Sequence, residues 1–159
     1  MSLLENCPML ISVCSADFDT AAEIRRLSEH NKNIGAVVSF TGLCRDENGR
    51  LSALELEHYP GMAEAEMKRI ARTAAERWAL SGLSIIHRYG LIKPGENIVL
   101  VLTASAHRKD AFEAASFLMD YLKTDAPFWK REHFADGRQG DWIAASTEDQ
   151  QRRQRWQIS

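Results

Sequence analysis

A chain of 159 residues, 45% hydrophobic and 26% charged, is long enough to bury one core and too short for two full domains. A net charge of −2 with a pI near 6.2 excludes the basic face by which nucleic-acid binders hold phosphates. The most apolar runs, "IGAVVSF" and "IVLVLTASA", fall far short of the roughly 20 residues that span a bilayer, and "MSLLENCPMLISVC" lacks the basic flank and cleavage site of a signal peptide, so a cytoplasmic location with no membrane partner is expected.

In chain order, "PMLISVCS" reads as a first strand, and Asp17 to Thr20 offers caps for a helix through "AAEIRRLSEH". "IGAVVSFTG" reads as a buried strand. The polar loop "LCRDENGR" carries an Asn48-Gly49 turn signal, after which Leu54, Leu56 and His58 alternate with Glu55 and Glu57 along a half-exposed strand. From Pro60, Ala63, Met67, Ile70, Ala71, Ala74 and Trp78 recur at helical spacing, predicting an amphipathic helix that closes near Gly82. "LSIIHRYG" and "NIVLVLTAS" follow as strands of a hairpin-like unit turning at Pro94-Gly95. A third helix runs from near Ser105 to Lys123, and its interior "DAFEAASFLMDYL" is apolar on more than one side, which predicts a homodimer interface. "PFWKREHF" and "DWIAAS" read as short strands joined by "ADGRQG", and "TEDQQRRQRWQIS" as a polar tail.

Strand follows strand too often for a doubly wound sheet. The expected fold is a single α+β domain over residues 1–146, with a mixed or largely antiparallel sheet and three main helices, and a C-terminal tail over residues 147–159. Cys7, Cys14 and Cys44 form no C-x-x-C pair, and His30, His58, His87, His107 and His133 are scattered without a helical i, i+4 pair, so neither a disulfide framework nor a metal site is expected. "GLIKPGEN" lacks the Gly-Lys-Ser/Thr ending of a phosphate loop.

Candidate chemistry lies at element ends. Lys123 and Lys130 frame the apolar turn "TDAPFW", whose Pro127 cannot continue the helix. Each candidate has an ordinary reading: Lys123 meets a helix dipole, Lys130 protects a strand edge, His107 and Arg108 open a helix, and Arg45 sits in a loop.

Taken together, "GAVVSFTGLCRD", "LELEHYPGMAEAEM", "IIHRYG", "PGENIVLV", "SAHRKDAFEA" and "MDYLKTDAPFWKRE" resemble, in order and spacing, the catalytic large subunit family of molybdopterin synthase, over roughly residues 34 to 146. The resemblance implies a hammerhead-like α/β fold carrying an extra small antiparallel sheet. It also implies sulfur transfer: a homodimer at the core of a heterotetramer, in which each protomer accepts the Gly-Gly thiocarboxylate tail of a small ubiquitin-like subunit. The acceptor is cyclic pyranopterin monophosphate, a substrate, and no resident cofactor is implied. Lys123 and Lys130 then match the family's active-site lysines, Arg45 its loop arginine, and His107 and Arg108 a substrate-anion contact delivered across the dimer, while Arg131 and Glu132 help shape the pocket. Leu43-Cys44 replaces a Lys-Val pair common in the family, which removes a charge while leaving any backbone role intact.

The physical logic is that a thiocarboxylate and a phosphorylated pterin are both anions, so their pocket needs fixed positive charge and a route for protons. Two other uses of the same residues stand open: a module that only holds a partner's tail, and a Schiff-base lyase using Lys123.

Overall fold

The computed structural model describes residues 7–144 and 147–157. A four-stranded sheet has the order β1-β4-β6-β2, from β1 (Met9–Cys14), β2 (Ala36–Leu43), β4 (Leu80–Arg88) and β6 (Asn97–Ser105). β1 runs parallel to β4, and the β4/β6 and β6/β2 pairs are antiparallel, so the sheet is mixed. A second sheet, β5-β3-β7, is antiparallel and small, from β3 (Leu51–His58), β5 (Gly90–Ile92) and β7 (Phe128–Phe134). The α+β expectation, with its extra small sheet, holds.

Helices cover the large sheet on both faces. α2 (Met62–Arg77) and α3 (Arg108–Leu122) bury Met67, Ile70, Ala71, Ala74, Phe117 and Leu118 against Leu83, Ile85, Val99 and Val101. α1 (Thr20–Ser28) brings Ile24 and Leu27 to the other face, against Ile86, Leu100 and Leu102. Alternate residues of β6 thus enter two cores, which explains why its sequence is continuously apolar. Asp19 caps α1 by accepting from the Ala22 N–H at 3.1 Å, as the sequence suggests.

Four local expectations change. β2 is an edge strand, with Phe40 42% and Leu43 51% exposed, rather than buried. The link between β4 and β6 contains β5, which joins the other sheet. Within "DWIAAS" only Ile143 is bridged, to Lys130, and residues 145 and 146 lie outside the described residues. The polar tail contains a helix, α4 (Thr147–Gln154), packed on α3.

That helix is anchored just beyond its end. The Trp156 ring meets Trp78 and Phe117 edge-on, and its indole N–H donates to Asp120 Oδ2 at 2.6 Å. Arg77 lies over Trp78, Phe117 and Trp156 with its guanidinium 4.8, 5.3 and 5.7 Å from the ring centres. The apolar excess of α3 is therefore covered by β2, β6, α2 and α4 of the same chain, and Phe112 is left 61% exposed. The argument for a dimer from α3 alone loses its premise.

Candidate active site

α3 delivers Lys123. The helix ends there because Pro127 cannot extend it: the Lys123 N–H still donates to Met119 O at 3.1 Å, and the Asp125 N–H turns back to Tyr121 O at 2.7 Å. Ala126 is buried at the bottom of the turn, and its carbonyl accepts from the Phe128 N–H at 2.8 Å as β7 begins. Phe128 fixes the far end of the turn, stacked between two imidazoles, with His87 at 3.8 Å and His58 at 5.9 Å between ring centres. Lys130 then pairs in register with Leu56 on β3 and exchanges backbone bonds with Ile143, at 3.1 and 2.7 Å.

These pieces surround a cavity of about 470 Å³. Its rim carries Arg45, Lys123 and Lys130, all exposed, together with Glu47, Glu132 and Asp149. Its buried wall is apolar, from Leu51, Leu56, Val99, Leu122 and Ala126, except for Cys44 and His87. A charged mouth over an apolar interior suits an extended anionic ligand: the charge meets the anion at the rim, and the wall excludes water.

The loop bearing Arg45 is shaped by Glu47, Asn48 and Gly49, which take φ values of 52°, 61° and 82° in succession. Arg50 joins this loop to β7 by pairing with Glu47 and, at 3.1 Å, with Glu132. Arg45 reaches Glu47 only at 3.9 Å and stays 83% exposed, so its guanidinium is available to a ligand.

Six of the nine sequence-predicted site residues therefore meet at one cavity: Leu43, Cys44, Arg45, Lys123, Lys130 and Glu132. Cys44 does so with its backbone already used, its N–H donating to Glu96 O at 2.9 Å and its carbonyl accepting from Gly95 at 2.8 Å. The expected backbone role thus becomes support for the 93–96 turn. Burial pushes the Cys44 thiol up, which makes it a poor nucleophile.

The other three lie elsewhere. Arg131 is not in the cavity wall. Strand alternation separates it from Lys130 and Glu132, and its guanidinium donates to Glu55 Oε1 at 2.7 and 3.2 Å while covering Trp142. His133 shares the same carboxylate at 2.8 Å, and these two bonds hold Glu55 below the usual carboxylate range. His107 and Arg108 are exposed at the opposite end of α3, about 22–24 Å from Lys123 at 1.5 Å per residue. One chain cannot bring both ends of α3 to one ligand.

Comparison with known proteins identifies the family. The family model described as MoaE protein matches residues 13–125. The chain belongs to the MoaE family. The molybdopterin synthase catalytic subunit of Brucella melitensis is 68% identical over 151 residues, covering 95% of this chain and 93% of the relative. The solved molybdopterin biosynthesis MoaE protein from Burkholderia ambifaria is 43% identical with a TM-score of 0.80, covering 95% and 99% of the two chains. The crystal structure of molybdopterin synthase from Staphylococcus aureus is 32% identical with a TM-score of 0.74, covering 83% and 95%.

In this MoaE chain, sequence reasoning missed three ionisable residues of the cavity. Glu47 sits in the turn loop and Asp149 in the presumed tail, and neither position carries a local signal. His87 lies within the motif "IIHRYG", where an imidazole in a buried apolar strand was the available clue. Its Nδ1 is 2.9 Å from Arg88 O, which fixes that nitrogen as the N–H donor. Burial, with the charges of Lys123 and His58 adding to it, pushes its pKa down to about 4 against the opposing bond to Arg88 O. Among the described residues, no group of three or more His, Cys, Asp or Glu side chains could hold a metal, and no helix is long and apolar enough to cross a membrane.

Proposed function

We propose that this chain is the catalytic subunit of a molybdopterin synthase. It transfers sulfur from the C-terminal thiocarboxylate of a small ubiquitin-like subunit to cyclic pyranopterin monophosphate. The observation that carries the reading is the cavity itself: Lys123 and Lys130 at the two ends of one rigid turn, with Arg45 opposite, over an apolar wall. The high identity to named catalytic subunits over nearly the whole length of both chains supports it.

An extended Gly-Gly tail fits such a slot because glycine lets the backbone approach the walls, and its terminal anion meets the ammonium groups. In each transfer a bond forms from sulfur to a pterin carbon and the tail's carbon–sulfur bond breaks. Water supplies the oxygen that leaves the tail a carboxylate. Two transfers complete a dithiolene: one sulfur displaces the ester oxygen of the cyclic phosphate, which opens and stays on the product as a phosphate monoester, and the other displaces an oxygen that leaves as water. Lys130 and Arg45 supply fixed charge, while Lys123 gives up a proton and acts as base or nucleophile. Glu132, with Leu43 and Cys44, shapes the mouth. The cysteine thiols take no part, since the sulfur arrives on the partner, and the pterin is substrate rather than resident cofactor.

His107 and Arg108 bind the pterin anion in the cavity of a second protomer. The 15-residue length of α3 supports this, because it keeps them from their own chain's Lys123. The working unit is then a homodimer flanked by two small subunits, in the cytoplasm.

The test is zero-length coupling. Carbodiimide activation of the small subunit's terminal carboxylate should join it to Lys123 or Lys130, and the product should vanish in the Lys123→Arg/Lys130→Arg double variant. Coupling spread over Lys68, Lys93 or Lys109 would overturn the reading.

A further inference from the structure

The cavity holds, in its buried wall, an imidazole that the sulfur-transfer reading does not use. Its cations and carboxylates lie at the rim, whereas the wall beneath is apolar apart from the Cys44 thiol and the His87 imidazole. The Cys44 thiol faces Arg45 O at 3.9 Å, a weak contact. His87 is only 9% exposed, yet its ring forms part of the wall.

The orientation of that ring is set by two contacts. Phe128 stacks on it with planes 15° apart, and Nδ1–H donates to Arg88 O. Arg88 is itself held by Ser15 O at 2.9 and 3.2 Å, Asn97 O at 2.9 Å and Glu96 at 3.3 Å, so the carbonyl that receives Nδ1–H sits on a fixed strand end. With Nδ1 committed, Nε2 carries only a lone pair and has no partner among the described residues. Among the described residues Arg153 Nε is the side-chain polar atom sealed from solvent without a partner, so Nε2 of His87 is open to the cavity, where an incoming donor can reach it.

We infer that His87 is a ligand-binding residue of the cavity, its Nε2 accepting a hydrogen bond from an N–H of the bound ligand. The inference rests on the sulfur-transfer reading for the identity of that ligand. Two sources offer the same chemistry: a glycine amide of the inserted tail and a ring N–H of the pterin. The assignment matches the chemistry of the rim, since Arg45 and Lys130, the fixed charges, can only donate. A ligand whose anionic end is held by donors at the rim needs an acceptor below for its own N–H.

Burial above all, with neighbouring charges adding to it, keeps the ring in the accepting form. Lys123 on α3 and His58 on β3, beyond Phe128, both oppose a proton on His87, and Arg88 beside it on β4 is cationic. The depressed pKa of about 4 means the lone pair is present throughout the neutral range.

The experiment compares His87→Phe, which keeps a stacking ring without an acceptor, with His87→Gln, which keeps an acceptor without the ring. Calorimetry with the Gly-Gly small subunit and, separately, with the cyclic pterin gives two affinities. The Phe variant should lose about tenfold or more, equivalent to ~1.4 kcal/mol, for one ligand only, and that ligand is the N–H source. The Gln variant should recover part of the loss. Wild-type affinity of the Phe variant for both ligands would overturn the inference.

A second measurement does not depend on how the variants fold. In wild-type protein, the 15N resonance of His87 Nε2 should shift on saturation with one ligand while Nδ1 stays protonated. A resonance unmoved by both ligands would overturn the assignment. If neither ligand binds the wild-type chain, the functional reading falls and the assignment with it; if both bind and Nε2 stays silent, only the assignment falls.

Discussion

Asp125 ties the turn that presents Lys123 to two other elements, so Asp125→Asn should loosen the site without touching the cavity wall. Its carboxylate, 14% exposed, accepts from Arg69 of α2 at 3.1 Å and from Arg153 Nη2 of α4 at 3.1 Å, and Thr124 Oγ1 donates to it at 3.1 Å. Arg153 Nε also lies 2.6 Å from Oδ1 but forms no hydrogen bond there, so that contact is ionic only. The Arg69 pair is half exposed and is discounted to a few tenths of a kcal/mol. The Arg153 pair is more enclosed and contributes about 1 kcal/mol, so the amide should cost ~1–2 kcal/mol in all. For a domain of this size that lowers Tm by about 2–8 °C. Thermal unfolding read alongside hydrogen exchange would check it, with faster exchange confined to residues 123–127 and α4. A displaced Lys123 should also lower kcat by roughly tenfold. Unchanged Tm together with unchanged exchange in α4 would refute the claim that this carboxylate couples α2, the turn and the C-terminal helix.

His87 predicts a pH dependence. Its folded pKa of about 4 lies below the ordinary value of 6.5, so the unfolded chain binds the extra proton first, and stability falls as pH drops from about 6.5 toward 4, by at most ~1.4 kcal/mol per pH unit; urea unfolding across that window should show the slope, and His87→Phe should remove it. Arg108→Ala should weaken pterin binding by about tenfold or more and leave small-subunit affinity unchanged, by calorimetry; mixing it with Lys123→Ala protomers should restore part of the lost activity if the contact crosses a dimer, and no recovery would count against the shared site. Lys123→Arg keeps the charge but, with a pKa above about 12, cannot release a proton, so single-turnover sulfur transfer from a preloaded partner should be abolished; activity within about tenfold of wild type, a barrier change near 1.4 kcal/mol, would reduce Lys123 to an electrostatic role.

Periodicity was enough for the large elements. The spacing of Met67, Ile70, Ala71 and Ala74 places α2, and the continuous apolar run of β6 marks a strand buried on two faces. A broken helix followed by a strand placed Lys123 and Lys130 at the two ends of the Pro127 turn, but their part in a site came only from the family resemblance, since each has an ordinary reading as a surface lysine. What sequence could not supply was pairing between distant segments. Arg131 reads as a pocket residue until β7's alternation and the partner Glu55 on β3 are known. α4 reads as a solvated tail because its own residues are polar; its anchor, Trp156, lies beyond the helix and meets partners on α2 and α3. His87 stood in the sequence only as one of five scattered histidines, and it joins the cavity because the turn bearing Phe128 and Lys123 folds beside it.

The central claim is that this cavity moves sulfur from a partner's tail to a pterin. The most direct measurement mixes the chain with a small subunit labelled with 35S at its thiocarboxylate and with cyclic pyranopterin monophosphate, and follows the label. The account predicts two labelled sulfurs per molecule of dithiolene product, with none on Cys7, Cys14 or Cys44. Label retained on the small subunit, or recovered on a cysteine of this chain, would contradict it.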